Sequence, residues 1–276
     1  MWLTEETAYT PQEMIVVAGA RTLEDNKVVF VGTGLPMIAT VLARRTHAPG
    51  LIPVFEAGAV GPTLETGLPF SVGDSRTSSS ASYTKGLNAA FELTQRGFCD
   101  FGFVGGAEID PFGNLNSTMM GKFPEEYQKP RVRLPGSGGA GDMAASCERT
   151  ILIMPHEKRR FNEKLSYITS PGFLDGAPGA RKRAGLLGQG PYRVITTKAV
   201  LDFDESTRRM RLIHTMPGET VESVQAATGF ELLVSPAVSE FDPPTEQELR
   251  LIREQIDPLG FFVKKPVKPQ PVPNQF

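Results

Sequence analysis

A chain of 276 residues is long enough for one large core, or for a main domain with a smaller addition. With 40% apolar and 22% charged residues it has the composition of an ordinary globular protein; a net charge of −2, with no basic stripe among aromatics, excludes a nucleic-acid footprint. No apolar run approaches the ~18 residues a membrane span requires. The acidic start MWLTEETAYTPQEM lacks the basic and apolar regions of a signal peptide. Two cysteines, Cys99 and Cys147, are too few for a disulfide framework and read as buried structural thiols. The expectation is a cytoplasmic α/β protein, with no membrane and no nucleic acid among its partners.

Taken in order, Thr10-Pro11-Gln12-Glu13 opens a helix running to about Ala20, with Thr10 capping, Pro11 in the first helical position and Glu13 closing a capping box. Lys27 to Val31 reads as a strand, turned by Gly32-Thr33-Gly34-Leu35-Pro36 into a helix that ends near Arg45. That turn reads as a tight βα connection, since the full G-x-G-x-x-G is absent and no lysine follows as in a P-loop. Leu51 to Gly58, LIPVFEAG, is a short apolar run ending in a lone carboxylate, Glu56. It reads as a buried strand of a parallel sheet, with Pro53 near its start where the missing N–H costs least. Residues 57 to 82 form a long Gly/Pro/Ser/Thr-rich connection, the composition of a lid or binding loop.

Beyond it, Thr84 to Arg96 reads as a helix closed by Gly97, and Phe101 to Val104 as a strand. Asp110-Pro111-Phe112-Gly113-Asn114 is a turn, with Glu108 and Asp110 structural rather than metal-binding. Three glycines in four positions, Gly136, Gly138 and Gly139, open the run GSGGAGDMAAS, where the backbone can approach a ligand and successive N–H groups can converge on an anion. The strand Thr150 to Met154 follows. His156 to Arg160 reads as a solvated charge run, and His47, His156 and His214 as hydrogen-bonded structural histidines. Strands are expected at Arg193–Thr197, Val200–Phe203 and Met210–His214, the last two joined by a polar hairpin turn. A short helix over Val221–Thr228 and a capping box of Thr245 with Glu248, opening a helix to about Ile256, complete the folded part. From about Phe261 the prolines 266, 269, 271 and 273 favour an extended tail. No repeat or interdomain linker interrupts residues 1–276, which read as a single domain with that tail.

Ligands of open parallel sheets bind beyond the carboxyl ends of the strands, where Glu56 stands. A carboxylate with an ordinary pKa is ionised about 500 to 1 at neutral pH, so it can act as a nucleophile without a neighbouring base. Attack on an acyl thioester would create an oxyanion that N–H groups of the glycine run can stabilise, each donor being worth roughly 3–4 kcal/mol. On these residues alone, a reactive Glu56 and a buried, hydrogen-bonded structural Glu56 stand level.

Several stretches then identify a family: VVFVGTGLPMIATVLARRTHAPG (28–50), VFEAG (54–58), GGAEIDPFGNLNST (105–118), GSGGAGDMAA (136–145), HEKRRF (156–161), TSPGFLDG (169–176), TGFELLVS (228–235) and LIREQIDP (251–258). Together they make the chain resemble the B (beta) subunit of class I CoA-transferases, of the glutaconate CoA-transferase type. The resemblance implies an open, mainly parallel sheet flanked by helices, the CoA-transferase fold shared with ribose-5-phosphate isomerase-like proteins. It implies ping-pong chemistry in which Glu56 carries first an acyl anhydride and then a CoA thioester. Gly138 and Gly139 would supply the oxyanion site, and Gly136 and Ala140 contacts to the cofactor. Coenzyme A would be a co-substrate, with no tightly bound cofactor and no metal. A CoA-transferase A (alpha) subunit would complete the site in an A2B2 or larger assembly, acting on an acyl-CoA and a carboxylic acid. Many members read S-E-N-G around the glutamate and the glutaconate type E-S-G, where this chain has Phe55-Glu56-Ala57-Gly58. Ala57 thus lacks a hydroxyl. Branches without the glutamate act as acyl-CoA hydrolases or decarboxylases, so those activities form the alternative, beside a non-catalytic partner subunit.

Overall fold

A computed structural model describes residues 9–64 and 67–264 of the chain; the prolines of the expected C-terminal tail lie outside them. Helix α1 (Pro11–Thr22) starts as its sequence requires, Thr10 capping the Glu13 N–H while the Glu13 carboxylate accepts from the Thr10 N–H. Strand β1 (Val28–Val31) leads through Gly34, at φ +90°, into α2 (Leu35–Arg45). Strand β2 (Ile52–Phe55) lies parallel to β1, with Val31 opposite Phe55. The long connection folds back as β3 (Ala59–Val60), a single turn α3 (Ser75–Ser78) capped by Asp74, and β4 (Tyr83–Thr84). Helix α4 (Leu87–Gln95) begins three residues later than expected, because Thr84 pairs with Ala59 in the sheet.

After β5 (Phe101–Val104) come two small hairpins, β6 (Glu108–Ile109) with β7 (Leu115–Asn116), and β8 (Met119–Met120) with β9 (Val132–Arg133). Part of the glycine run is helical: α5 (Ala140–Ser146) precedes β10 (Arg149–Met154). A short α6 (Ala180–Arg183), β11 (Gly190–Thr196), β12 (Ala199–Phe203), β13 (Met210–Thr215) and α7 (Val221–Ala226) follow. Strand β14 (Leu233–Glu240) goes beyond the sequence reading, because Pro236 argues against a strand; it lies at the sheet's edge, where a missing N–H is tolerated. The chain then enters α8 (Glu246–Arg250), which widens into a π-type turn over Leu251–Ile256.

One ten-stranded sheet runs β14-β13-β12-β11-β10-β5-β1-β2-β3-β4. Its centre, β11-β10-β5-β1-β2, is parallel throughout, and antiparallel pairs flank it on both sides. Alternate residues of each central strand face opposite layers. Val29, Val31, Phe101 and Phe103 pack with α1, α2 and the 251–256 turn, while Phe30, Val54 and Val104 pack with α4, α5 and α7. This is the expected α/β architecture, a mostly parallel sheet between two layers of helices. Because β1 leads to β2 on one side and β5 lies on the other, the order reverses at β1, and its carboxyl end opens the crevice.

Candidate active site

Glu56 follows directly on β2, at the carboxyl edge beside the Gly32–Gly34 turn. The chain reverses there: the Gly58 N–H donates to Phe55 O at 2.8 Å, and the Lys85 N–H donates to Gly58 O at 3.0 Å. Gly58 has φ +108°, and a Cβ on it would stand 1.6 Å from Lys85 O, so only glycine allows this turn to pack against the entry to α4. The half-exposed Glu56 carboxylate accepts no hydrogen bond among the described residues. The buried, hydrogen-bonded structural role that competed with a reactive one is therefore not what the geometry gives it.

The glycine run meets this carboxylate. A Cβ on Gly139 would lie 2.9 Å from Glu56 Oε1 and 2.6 Å from Phe91 Cζ, so a methyl here would displace these two side chains where the elements cross. Phe91 comes from α4 and stacks on Phe30, ring centroids 5.4 Å apart. Gly139 is the N-cap of α5 and its carbonyl accepts from the Met143 N–H at 3.0 Å. Gly138, exposed at φ +48°, precedes it. Around this turn the N–H groups divide. The Gly136 N–H donates to Ser117 O at 2.8 Å and the Ala140 N–H to Ser137 O at 2.9 Å, whereas those of Gly138 and Gly139 meet no acceptor among the described residues. The structure thus brings Gly139 against Glu56, with Gly138 one residue before it in the same turn. Gly136 and Ala140 frame the same loop with their donors already committed; a Cβ on Gly136 would meet nothing within 4 Å, so open space remains beside it. Sequence reasoning missed Phe91 and the Gly58–Lys85 contact, for which only the fold supplies a signal.

Other polar groups are structural, as expected. Asp110 accepts from the N–H groups of Phe112 and Asn114 and from Asn114 Nδ2; burial nevertheless pushes its carboxyl up to about 6. Glu108 accepts from Asn116 and Asn162. His156 is buried between Thr196 and Thr228, stacked on Phe161, and burial holds its imidazole down to about 4. Cys99 and Cys147 are buried, and the hydrogen bond that the Cys147 thiol makes with Cys99, together with burial, raises the Cys147 thiol. Arg159 and Glu157 pair at the surface, so the run expected to be a solvated face is solvated there, but not at its first residue, the buried His156. Among the described residues no helix is long and apolar enough to cross a membrane.

The sequence model of the coenzyme A transferase family matches residues 12–227. The chain belongs to the coenzyme A transferase family. The B (beta) chain of glutaconate CoA-transferase from Acidaminococcus fermentans is 41% identical, over 96% of this chain and 99% of its own. The corresponding B (beta) chain of 3-oxoadipate CoA-transferase from Pseudomonas knackmussii is 38% identical, over 90% of this chain and 93% of its own. The crystal structure of the A. fermentans glutaconate coenzyme A-transferase superposes with a TM-score of 0.87 at 39% identity, covering 94% of this chain and 99% of that one. The decarboxylase AibA/AibB superposes with a TM-score of 0.77 at 28% identity, covering 92% and 97%. Within the family, then, this CoA-transferase chain corresponds over nearly its whole length to beta subunits.

Proposed function

We propose that the chain is the catalytic beta subunit of a CoA-transferase that moves CoA from an acyl-CoA to a carboxylic acid, with Glu56 as nucleophile. One observation carries this reading: a strand-end carboxylate with no hydrogen bond from the described residues sits against a turn whose Gly138 and Gly139 N–H groups also lack partners among them. In the proposed cycle the Glu56 carboxylate attacks the thioester carbonyl, the oxyanion is held by the Gly138 and Gly139 N–H groups, and CoA leaves as the thiolate. The thiolate attacks the glutamyl carbonyl of the anhydride, releasing the donor acid and leaving a glutamyl-CoA thioester. An acceptor carboxylate displaces the thiolate to form a second anhydride, and thiolate attack on the acceptor carbonyl returns a free Glu56 and a new acyl-CoA. Gly136 and Ala140 shape the space for the thioester arm. Similarity to chains named for glutaconate and 3-oxoadipate, both dicarboxylates, supports a dicarboxylic donor or acceptor. An alpha subunit completes the site in this reading, and residues 1–276 act as one domain in a cytoplasmic A2B2 or larger complex without a tightly bound cofactor.

The test is to incubate the complex co-purified with its alpha-like chain with acyl-CoA, then treat it with borohydride or hydroxylamine and map the adduct. Modification at Glu56 is expected, and full turnover with an unmodified Glu56 overturns the mechanism. Similarity to a decarboxylase favours a second reading, acyl-CoA decarboxylation or hydrolysis on the same scaffold. Acceptor dependence separates the two, because a transferase requires an added carboxylate whereas the alternatives release product without one.

A further inference from the structure

Arg181 is among the most buried charged groups described, at 8% exposure, and among the described residues no carboxylate pairs with it. A cation without an anion is costly to bury unless its donors find other partners. Four of its five N–H donors go to backbone carbonyls from three separate segments: Nη2 donates to Ala144 O at 3.0 Å, Nη1 to Gly172 O at 2.8 Å and Pro171 O at 3.2 Å, and Nε to Gly188 O at 3.2 Å. The side chain fits because Gly190 passes beside it, where a Cβ would come within 3.0 Å of Arg181 Cδ. Burial lowers the guanidinium to about 10, which still leaves it charged at neutral pH.

The Ala144 carbonyl belongs to the last turn of α5. Three of its last four carbonyls are engaged: Met143 O accepts from the Cys147 N–H at the helix's own end, Ala144 O from Arg181 and Ala145 O from the Leu187 N–H. The Ala144 and Ala145 carbonyls would otherwise be orphans, and a cation there also complements the negative end of the helix dipole. The opposite end of α5, roughly 10 Å away at 1.5 Å per residue, is Gly139 against Glu56. The segment that supplies Pro171 and Gly172 also runs along the first turn, where a Cβ on Gly141 would lie 3.3 Å from Thr169 O. Helix α5 is therefore gripped near both ends by one segment, and Arg181 joins that segment to its C-terminal end.

We propose that Arg181 is a positioning residue for the acyl-transfer step: it fixes α5 along its axis and so sets the Gly138 and Gly139 N–H groups relative to Glu56. The proposal rests on the reading of Glu56 as nucleophile and adds a residue that never touches substrate.

The test uses the assembled complex, purified by size exclusion and assayed well below its melting temperature, as wild type, Arg181→Lys, Arg181→Gln and Arg181→Ala. The expected result for Arg181→Gln and Arg181→Ala is a 10- to 100-fold fall in kcat, a part of the roughly 10²- to 10³-fold that losing one oxyanion donor outright typically costs. KM for acyl-CoA should change less than about threefold. The borohydride-trapped fraction of Glu56 should form more slowly in proportion. Arg181→Lys, which keeps a cation at the helix end, should lie between these and wild type. A cavity of about 370 Å³, lined in part by Phe173, Arg181, Gly188 and Arg208, opens beside the side chain, so added guanidinium chloride at millimolar levels should raise kcat of Arg181→Ala. A lowered melting temperature with unchanged kcat, or no rescue by guanidinium, overturns the proposal and makes Arg181 a structural clamp only. If Arg181→Ala and Arg181→Gln do not assemble, a wild-type kcat in Arg181→Lys overturns it and a reduced kcat supports it. Failure of the parent reading looks different: wild type itself would then turn over with no adduct at Glu56, and the positioning role would fall with it.

Discussion

Gly139 has φ −81°, a conformation that alanine adopts without strain, so the damage from Gly139→Ala is confined to what its methyl meets. That methyl would stand 2.9 Å from Glu56 Oε1 and 2.6 Å from Phe91 Cζ. The variant should fold normally and lose about 10²- to 10³-fold in kcat, read against an unchanged far-UV spectrum. Glu56→Gln keeps the volume and removes the nucleophile; turnover should fall about 10⁴-fold or more, with no adduct after borohydride. Gly58→Ala is the opposite case. Its Cβ would be driven into Lys85 O from a backbone angle that disfavours any side chain, so the expected effect is on folding, a loss of at least about 2 kcal/mol in urea denaturation.

At the scale of elements, α1 shows local signals and tertiary contacts combining in one side chain. Glu13 is fully buried and its carboxylate closes the capping box on the Thr10 N–H at 2.8 Å. The same carboxylate receives both Arg253 Nε at 2.6 Å and Nη2 at 2.9 Å from the π-type turn 240 residues on. Glu13→Ala removes the carboxylate half of the capping box and the cross-link together and should cost about 2–4 kcal/mol, measured by chemical denaturation. The box was readable from Thr10 and Glu13; the Arg253 pairing was not, because sequence separation hides which helices share a layer. Helix α5 makes the same point from the other direction. Its glycine-rich start reads as loop, yet Ala140–Ser146 is helical, with the Ala144 and Ala145 carbonyls accepting from Arg181 and Leu187 of a distant segment.

Across the whole molecule two buried titratable groups oppose each other below neutrality. His156 titrates near 6.5 when unfolded and about 4 when folded, so the unfolded chain binds more protons between these values and stability falls as pH falls. Asp110 moves from 3.8 to about 6, so the folded chain binds more protons in that window and stability falls as pH rises. Between pH 6.5 and 5 the two largely cancel. Asp110→Asn exposes the histidine: the variant should lose about 1.5 kcal/mol over that interval and the wild type about a third of that or less, followed by urea midpoints at each pH.

The apolar runs of the four central strands from β1 to β10, the first capping box and the strand-end position of Glu56 were determined by the sequence itself, since parallel strands buried on both faces must read as continuous apolar stretches and a cap needs only neighbours within a turn. Tertiary structure decided the rest. Thr84 became sheet rather than helix because Ala59 offered it a partner, and β14 formed despite Pro236 because it came to lie at an edge. The approach of Gly139 to Glu56 joins residues more than eighty positions apart. No local pattern encodes that contact; it exists because the sheet order places the end of β2 opposite α5, whose own position depends on the carbonyls that anchor its far end.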